Sequence, residues 1–186
     1  MNAIGSAICQ SAQDFADHVW PHIGPNIGGG TFVSLEAEVS NRLADDLDMI
    51  CGIDMLHYPA SGGIRGIASR VQYLDPAWAS SYPWDTFTIR RTRPNSHATE
   101  YEKRLAAIDS NGAQLYPYLT IQAYLVDRHV GPCLSVAAVR TADLIRHVQA
   151  NLDTVTVRTV KGGTTMFVVP WAYLEDAGVR IAVVRP

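Results

Sequence analysis

The sequence predicts a mixed α/β domain, and three observations predict it. Several short stretches alternate apolar and polar residues with the period of a strand, and residues 119–126, Leu-Thr-Ile-Gln-Ala-Tyr-Leu-Val, form a nearly continuous apolar run. Between them lie segments whose apolar residues recur every three or four positions, the spacing of a helix with one buried face. The chain has 186 residues, 47% of them hydrophobic and 18% charged, so it can bury one full core as a single domain covering residues 1–186.

The formal net charge of −3 gives no global basic signal, so any site for a polyanion has to be a local patch. Three cysteines, Cys9, Cys51 and Cys133, are odd in number and without Cys-x-x-Cys spacing. They read as reduced core thiols rather than a disulfide framework or zinc ribbon. The six histidines show no His-x-His or His-Glu-x-x-His pattern, and no Gly-x-Ser-x-Gly occurs. No apolar run reaches the length of a membrane span, and the N-terminus lacks a charged leader followed by an apolar stretch. The expectation is a soluble, cytoplasmic protein.

In chain order, residues 11–22 have helical spacing, with Phe15 and Val19 inward. Pro21, Pro25 and the glycines at 28–30 end that helix; no Gly-Lys-Ser/Thr follows them, which disfavours a phosphate loop. Residues 31–39 alternate as a strand, while Leu35, Val39, Leu43 and Leu47 also permit a helix starting near Ser34. Residues 40–50 are helical, carry Asp45, Asp46 and Asp48, and stop at Gly52. Solvated acids are the plain reading of Asp45 and Asp46.

Residues 52–58 and 63–73 then read as two antiparallel strands around a Pro/Ser/Gly turn. Asp54 stands in the first where an apolar residue is expected, and a carboxylate removed from water needs a partner. In the second, Arg70 and Gln72 share a face and are expected to point toward Asp54. A third strand over 86–92 leads into the arginine cluster Arg90, Arg91 and Arg93. Thr99 and Glu102 form a capping box for a helix over 100–109, which carries Lys103, one of only two lysines in the chain, and Arg104. Residues 119–126 make a central strand with Gln122 and Tyr124 on one face. Beyond it come a strand at 134–139, a helix capped by Thr141, a hairpin across residues 161–163, a short helix at 171–177 and a last strand at 179–184.

A helix, three antiparallel strands, a helix and a returning strand, with an acid in the first strand and a polar-x-polar pair in the second, resembles the PD-(D/E)XK nuclease core of restriction endonucleases and Holliday-junction resolvases. The string Asp48-Met-Ile-Cys-Gly-Ile-Asp54 is similar to the acid-rich helix end and Gly-Ile-Asp strand of its phage and mobile-element members. The resemblance covers about residues 31–126, with 133–186 as a strand-helix-hairpin extension. It implies a restriction endonuclease-like fold, a Mg²⁺ or Mn²⁺ ion, and a nucleic-acid substrate, DNA more than RNA. A homodimer or a protein partner would accompany these.

Carried over by residue, the resemblance makes Asp54 the strand-one acid and a metal ligand. Glu36, Glu38 or Asp48 would be the acid from the preceding element. The acid-x-lysine pair falls on Arg70 and Gln72, where the sequence departs from the pattern: arginine has no acceptor for a metal, and glutamine offers only its carbonyl oxygen. Gln72 could ligate beside Asp54, or Lys103 could supply the missing cation. Arg90, Arg91, Arg93 and Arg104 are the expected phosphate contacts. The expected activity is that of a metal-dependent endonuclease or exonuclease, and the alternative is an inactive nuclease fold of a phage or mobile element that binds nucleic acid or a partner protein. A bland third reading makes Asp54, Arg70 and Gln72 a satisfied core network.

Overall fold

The structure, a computed structural model, describes residues 10–35, 42–77, 79, 84–94, 98–128, 131–160 and 162–186, apart from the side chains of residues 42–45. Its N-terminal segment is helical but irregular: a π-helical turn at Phe15–Val19, one α-helical turn α1 (Trp20–Ile23) and a 3-10 turn at Gly24–Ile27. Pro21 lies in the first turn of α1, directly after the π-helical turn, and its missing N–H removes one bond from this continuous helical run.

The first strands are β1 (Thr31–Ser34), β2 (Met55–Tyr58) and β3 (Arg65–Leu74), with α2 (Arg42–Met49) between β1 and β2. They form an antiparallel meander in which Ser34 faces Met55 and Met55 faces Ile67. The expected hairpin is therefore present, although regular pairing starts at Met55, one residue after Asp54. Asp54 still donates its N–H to the Ile67 carbonyl at 2.9 Å.

The chain continues through β4 (Thr86–Thr92), α3 (Glu100–Asp109), β5 (Leu119–Val126), β6 (Cys133–Arg140), α4 (Thr141–Ala150), β7 (Thr156–Thr159), β8 (Thr165–Pro170), α5 (Trp171–Asp176) and β9 (Ile181–Val184). A six-stranded sheet has the order β1-β2-β3-β5-β6-β9, and a three-stranded sheet has the order β4-β8-β7. Strands β3 and β5 are parallel, with Arg70 opposite Gln122, and all other pairings are antiparallel. A parallel neighbour needs a long crossover, and this one contains both β4 and α3.

The third strand is where the expected order needs correcting. Strand β4 does not extend the β2–β3 hairpin, because both edges of β3 are already taken by β2 and β5. It pairs with β8 instead, and its Phe87 and Ile89 are buried with Phe167, Val169 and Trp171. The antiparallel triplet is completed by β1. Residues 133–186 are woven into both sheets: β6 and β9 finish the larger one, and β7 and β8 build the smaller.

The capping box at α3 forms as its sequence predicts. Glu102 N–H donates to Thr99 Oγ1, and the Thr99 N–H donates to Glu102 Oε2 at 2.8 Å. Thr141 differs from its expected role as a cap. It is the first helical residue of α4, Arg140 precedes it without a side-chain cap bond, and the Thr141 hydroxyl is spent on Thr120 Oγ1 at 2.9 Å.

Alternation along β3 and β5 splits the core in two. Ile67 on β3 and Ile121, Ala123 and Leu125 on β5 pack under Phe15, Val19 and Ile23 of the N-terminal segment. The opposite face, with Leu74 and Tyr124, is covered by α3, α4 and the small sheet through Tyr101, Leu144, Ile145, Phe167 and Trp171. On that second face the side chains of β3 and β5 turn polar at Arg70, Gln72, Thr120 and Gln122, and a cleft opens there. Among the described residues no helix is long and apolar enough to cross a membrane.

One buried polar contact fastens the N-terminal segment to the sheet. Tyr73 donates its hydroxyl to Asp14 Oδ2 at 2.6 Å, and Gln10 donates to Asp14 Oδ1 at 3.0 Å. Asp14 is 2% exposed, so these donors compensate a carboxylate removed from water. Burial first, and then the bond to Asp14, push the Tyr73 hydroxyl from its ordinary 10.0 up to about 12. Replacing Tyr73 with Phe should lower stability by about 1.5–3 kcal/mol, read from urea unfolding at neutral pH. Because the folded pKa lies above the unfolded one, this contribution is complete below pH 10 and fades as pH approaches 12. The gap between wild type and Tyr73→Phe should close over that window.

The start of β1 rests on a glycine. Gly30 has φ +86°, and a Cβ there would lie 2.0 Å from the Tyr58 carbonyl oxygen of β2. Gly30→Ala should cost at least about 2 kcal/mol in the same assay, from left-handed strain plus displacement of the β2 end.

Candidate functional site

The cleft has a volume of about 310 Å³ and lies between the polar face of β3 and β5, the inner edge of β4, the start of α3 and the loop after α2. Its charged lining is Arg70, Arg90, Arg93, Lys103 and Arg104 against Asp48, Asp54 and Glu100. Five cations face three acids, so a chain with net charge −3 holds a locally positive cleft. The low-dielectric walls concentrate that field on whatever enters.

Glu100 organises this lining. From the first turn of α3 its Oε2 accepts from Arg70 at 2.9 Å and from the Arg90 backbone N–H at 3.2 Å, while its Oε1 accepts from Arg104 at 2.8 Å. One carboxylate thus joins β3, β4 and α3. Arg104 is 4% exposed and also reaches Thr120 Oγ1 at 3.4 Å. Beside it runs a second relay: Arg70 donates to Thr88 Oγ1 at 3.2 Å, and Thr88 Oγ1 donates to Gln122 Oε1 at 3.0 Å. The Thr88 backbone N–H points at the same Gln122 oxygen at 3.4 Å.

Asp54 lines the cleft, as expected, but its partners differ from those expected. Its Oδ2 accepts the Ser69 backbone N–H at 2.6 Å, which fixes the carboxylate across the hairpin. Arg70 does not pair with it. The guanidinium is drawn to Glu100, a carboxylate from a helix that the hairpin alone could not foretell. Gln72 lies further along β3 and lines an adjoining wider groove rather than the cleft, so it stands apart from Asp54. The reason is spacing: residues two apart on a strand are about 6.6 Å apart, and Asp54 sits beside Ser69, at the near end of β3. Asp48 lines the cleft with Asp54. Glu36 and Glu38 fall outside the described residues.

The expected cations also divide. Arg90, Arg93 and Lys103 line the cleft. Lys103 Nζ donates to the Met49 carbonyl at the end of α2, which holds the lysine at the rim beside Asp48. Arg104 lines it from a buried position. Arg91 does not line it: the alternation of β4 turns that side chain to the other face, where its guanidinium stands 5.4 Å from the Phe167 ring centre.

Cys51, also in the lining, has its thiol pushed up by burial and then by Asp46, so it is a neutral thiol rather than a nucleophile. Among the described residues no three His, Cys, Asp or Glu side chains converge as a metal-holding group. Two carboxylates, Asp48 and Asp54, offer hard oxygen donors to the cleft, a number with which Mg²⁺ can be held when water and phosphate complete its shell.

Sequence reasoning missed Glu100, Thr88, Thr120 and the part played by Gln122. The signal for Glu100 was its spacing four residues before Arg104, and for Gln122 a single amide inside an apolar strand.

No family model, no curated protein and no solved structure matches this chain.

Glu100→Gln should leave the buried Arg104 charge uncompensated and destabilise the protein by about 3 kcal/mol. Arg70→Gln, which removes a half-exposed partner of the same carboxylate, should cost about 1 kcal/mol or less. Chemical unfolding of both variants checks the ranking.

Proposed function

We propose that this cleft binds the phosphodiester backbone of a nucleic acid and cleaves it with a divalent cation held at Asp54 and Asp48, a nuclease-like activity. The observation that carries the reading is the convergence of five cationic side chains on a cleft that these two carboxylates also line. The chain's resemblance to PD-(D/E)XK nucleases supports it through the Asp48 to Asp54 string and through a hairpin, helix and returning strand in that order.

In this reading Arg90 and Arg93 hold flanking phosphates at the rim, where each contact positions the backbone without reading sequence. Arg70 and Arg104, set by Glu100, present donors to the phosphoryl oxygens. Lys103 sits beside Asp48 and contributes positive charge where negative charge builds in the transition state. Ser69 N–H fixes the orientation of the Asp54 carboxylate in the cleft lining. Mg²⁺ or Mn²⁺, when bound, supplies Lewis-acid stabilisation of the phosphoryl oxygens.

A second reading, binding of nucleic acid without hydrolysis, is favoured by the lack of three convergent metal-ligating side chains among the described residues. An assay on single-stranded, duplex and branched DNA and on RNA, with Mg²⁺ or Mn²⁺, separates the two. Cleavage should fall by about 100-fold or more in Asp54→Asn while binding persists. Cleavage that survives Asp54→Asn would overturn the mechanism. Salt-dependent binding with no cleavage under any metal would leave the second reading.

A further inference from the structure

Met49 and Ile50 are 70% and 65% exposed, two neighbouring large apolar side chains that stand in solvent at the end of α2. Apolar residues scattered singly over a surface need no explanation. Two side by side, at a cleft lined by five cationic residues, do.

Helical spacing explains why they are left outside. Leu47 and Cys51, four residues apart, pack with Leu35, Ile53 and Leu56 in a small apolar cluster. Met49 and Ile50 lie between them in sequence and remain in solvent. The backbone that carries them is nevertheless held. Ile50 N–H donates to the Asp46 carbonyl and Gly52 N–H to the Asp48 carbonyl, both at 2.9 Å, and Gly52 closes the turn at φ +66°. Lys103 reaches from α3 to the Met49 carbonyl. A pair presented on a fixed backbone loses little freedom when something binds it.

Met49 lines the cleft, and a lining residue that is 70% exposed stands at the mouth rather than on the floor. It does not line the adjoining groove, whereas Arg70, Arg90 and Arg93 line both. Cations that suit phosphates therefore adjoin apolar atoms that suit neither phosphate nor sugar. In a nucleic acid the flat apolar surface that accompanies each phosphate is the face of a base. Met and Ile are among the side chains that enter between bases and part a stack, and the unbranched, polarisable thioether of methionine adapts to such a surface.

We propose that Met49 and Ile50 form a wedge that engages the bases next to the phosphate held in the cleft and parts their stack. The proposal rests on the nucleic-acid reading above and adds how the bases of the substrate are met. Neither side chain offers a strong hydrogen-bonding group, so the wedge touches base faces and not base edges. It opens the strand without selecting its sequence.

The test uses a set of short single DNA strands, each with one 2-aminopurine among adenines, with EDTA present to suppress cleavage. On binding wild type, at least one strand should brighten, because 2-aminopurine is quenched by stacking and released by unstacking. In the double variant Met49→Ser, Ile50→Ser the brightening should vanish, and anisotropy should show binding weakened at least about fivefold, the worth of one base contact. The dependence of affinity on salt should stay as in wild type, since no cation is touched. Strands that bind wild type without brightening, or a double variant with wild-type affinity, overturn the inference and leave the nucleic-acid reading standing. A changed salt dependence in the variant overturns it too, as does a wild type that self-associates through this pair while the variant binds strands unchanged. Failure of every strand to bind wild type overturns both readings. Thermal melting verifies that the double variant folds, and if it does not, the wild-type 2-aminopurine signal decides alone.

Discussion

The Glu100 carboxylate is the interaction on which the arrangement of the cleft depends. It lies where three elements meet that are far apart in sequence, and its oxygens accept from Arg70 on β3, Arg104 on α3 and the backbone of β4. Two guanidinium groups a few ångströms apart repel one another, and a cavity wall raises that cost by lowering the local dielectric. A carboxylate shared between them removes the repulsion and still leaves excess positive charge facing the cleft. Glu100 also stands in the first turn of its helix, where a negative charge is favoured by the helix dipole. The same residue is therefore supported from below by the backbone and from above by its cations.

This arrangement explains why the small sheet sits where it does. Strand β4 touches the large sheet largely through side chains, since β3 already has β2 and β5 as neighbours. Phe87 and Ile89 anchor its apolar face, and Thr88 and Arg90 present their backbone N–H groups to Gln122 and Glu100. Tyr124, next on that face of β5, completes the junction by donating to the Thr86 carbonyl at 3.0 Å. The cleft is the gap left between a sheet and a strand that does not join it.

Much of the secondary structure was legible because it was written locally. The capping box at Thr99 and Glu102, the glycines after α1 and the apolar run of β5 each carry their instruction within a few residues. Alternation along β3 also told correctly that Arg70 and Gln72 share a face. What could not be read was which strand each face would meet. Arg70 was expected to meet Asp54 because both lie in one hairpin; its partner came instead from a helix 30 residues on, brought close by a crossover whose path is set by packing. The separate sheet of β4 was hidden for the same reason, since pairing with β8 spans more than seventy residues and is decided by the burial of Phe87, Ile89 and Phe167 together. Asp54 was recognised as exceptional from its setting alone, whereas Gln122 was passed over because an amide in an apolar strand gives little indication of which way it faces.

Strand β4 is the outer strand of its sheet, and an outer strand normally offers a ladder of unpaired backbone groups to other chains. Here the inward N–H groups of Thr88 and Arg90 are occupied by Gln122 and Glu100, so the side chains that shape the cleft also seal a sheet edge. Changing Gln122 or Glu100 to reshape the cleft would therefore also reopen this edge of the small sheet.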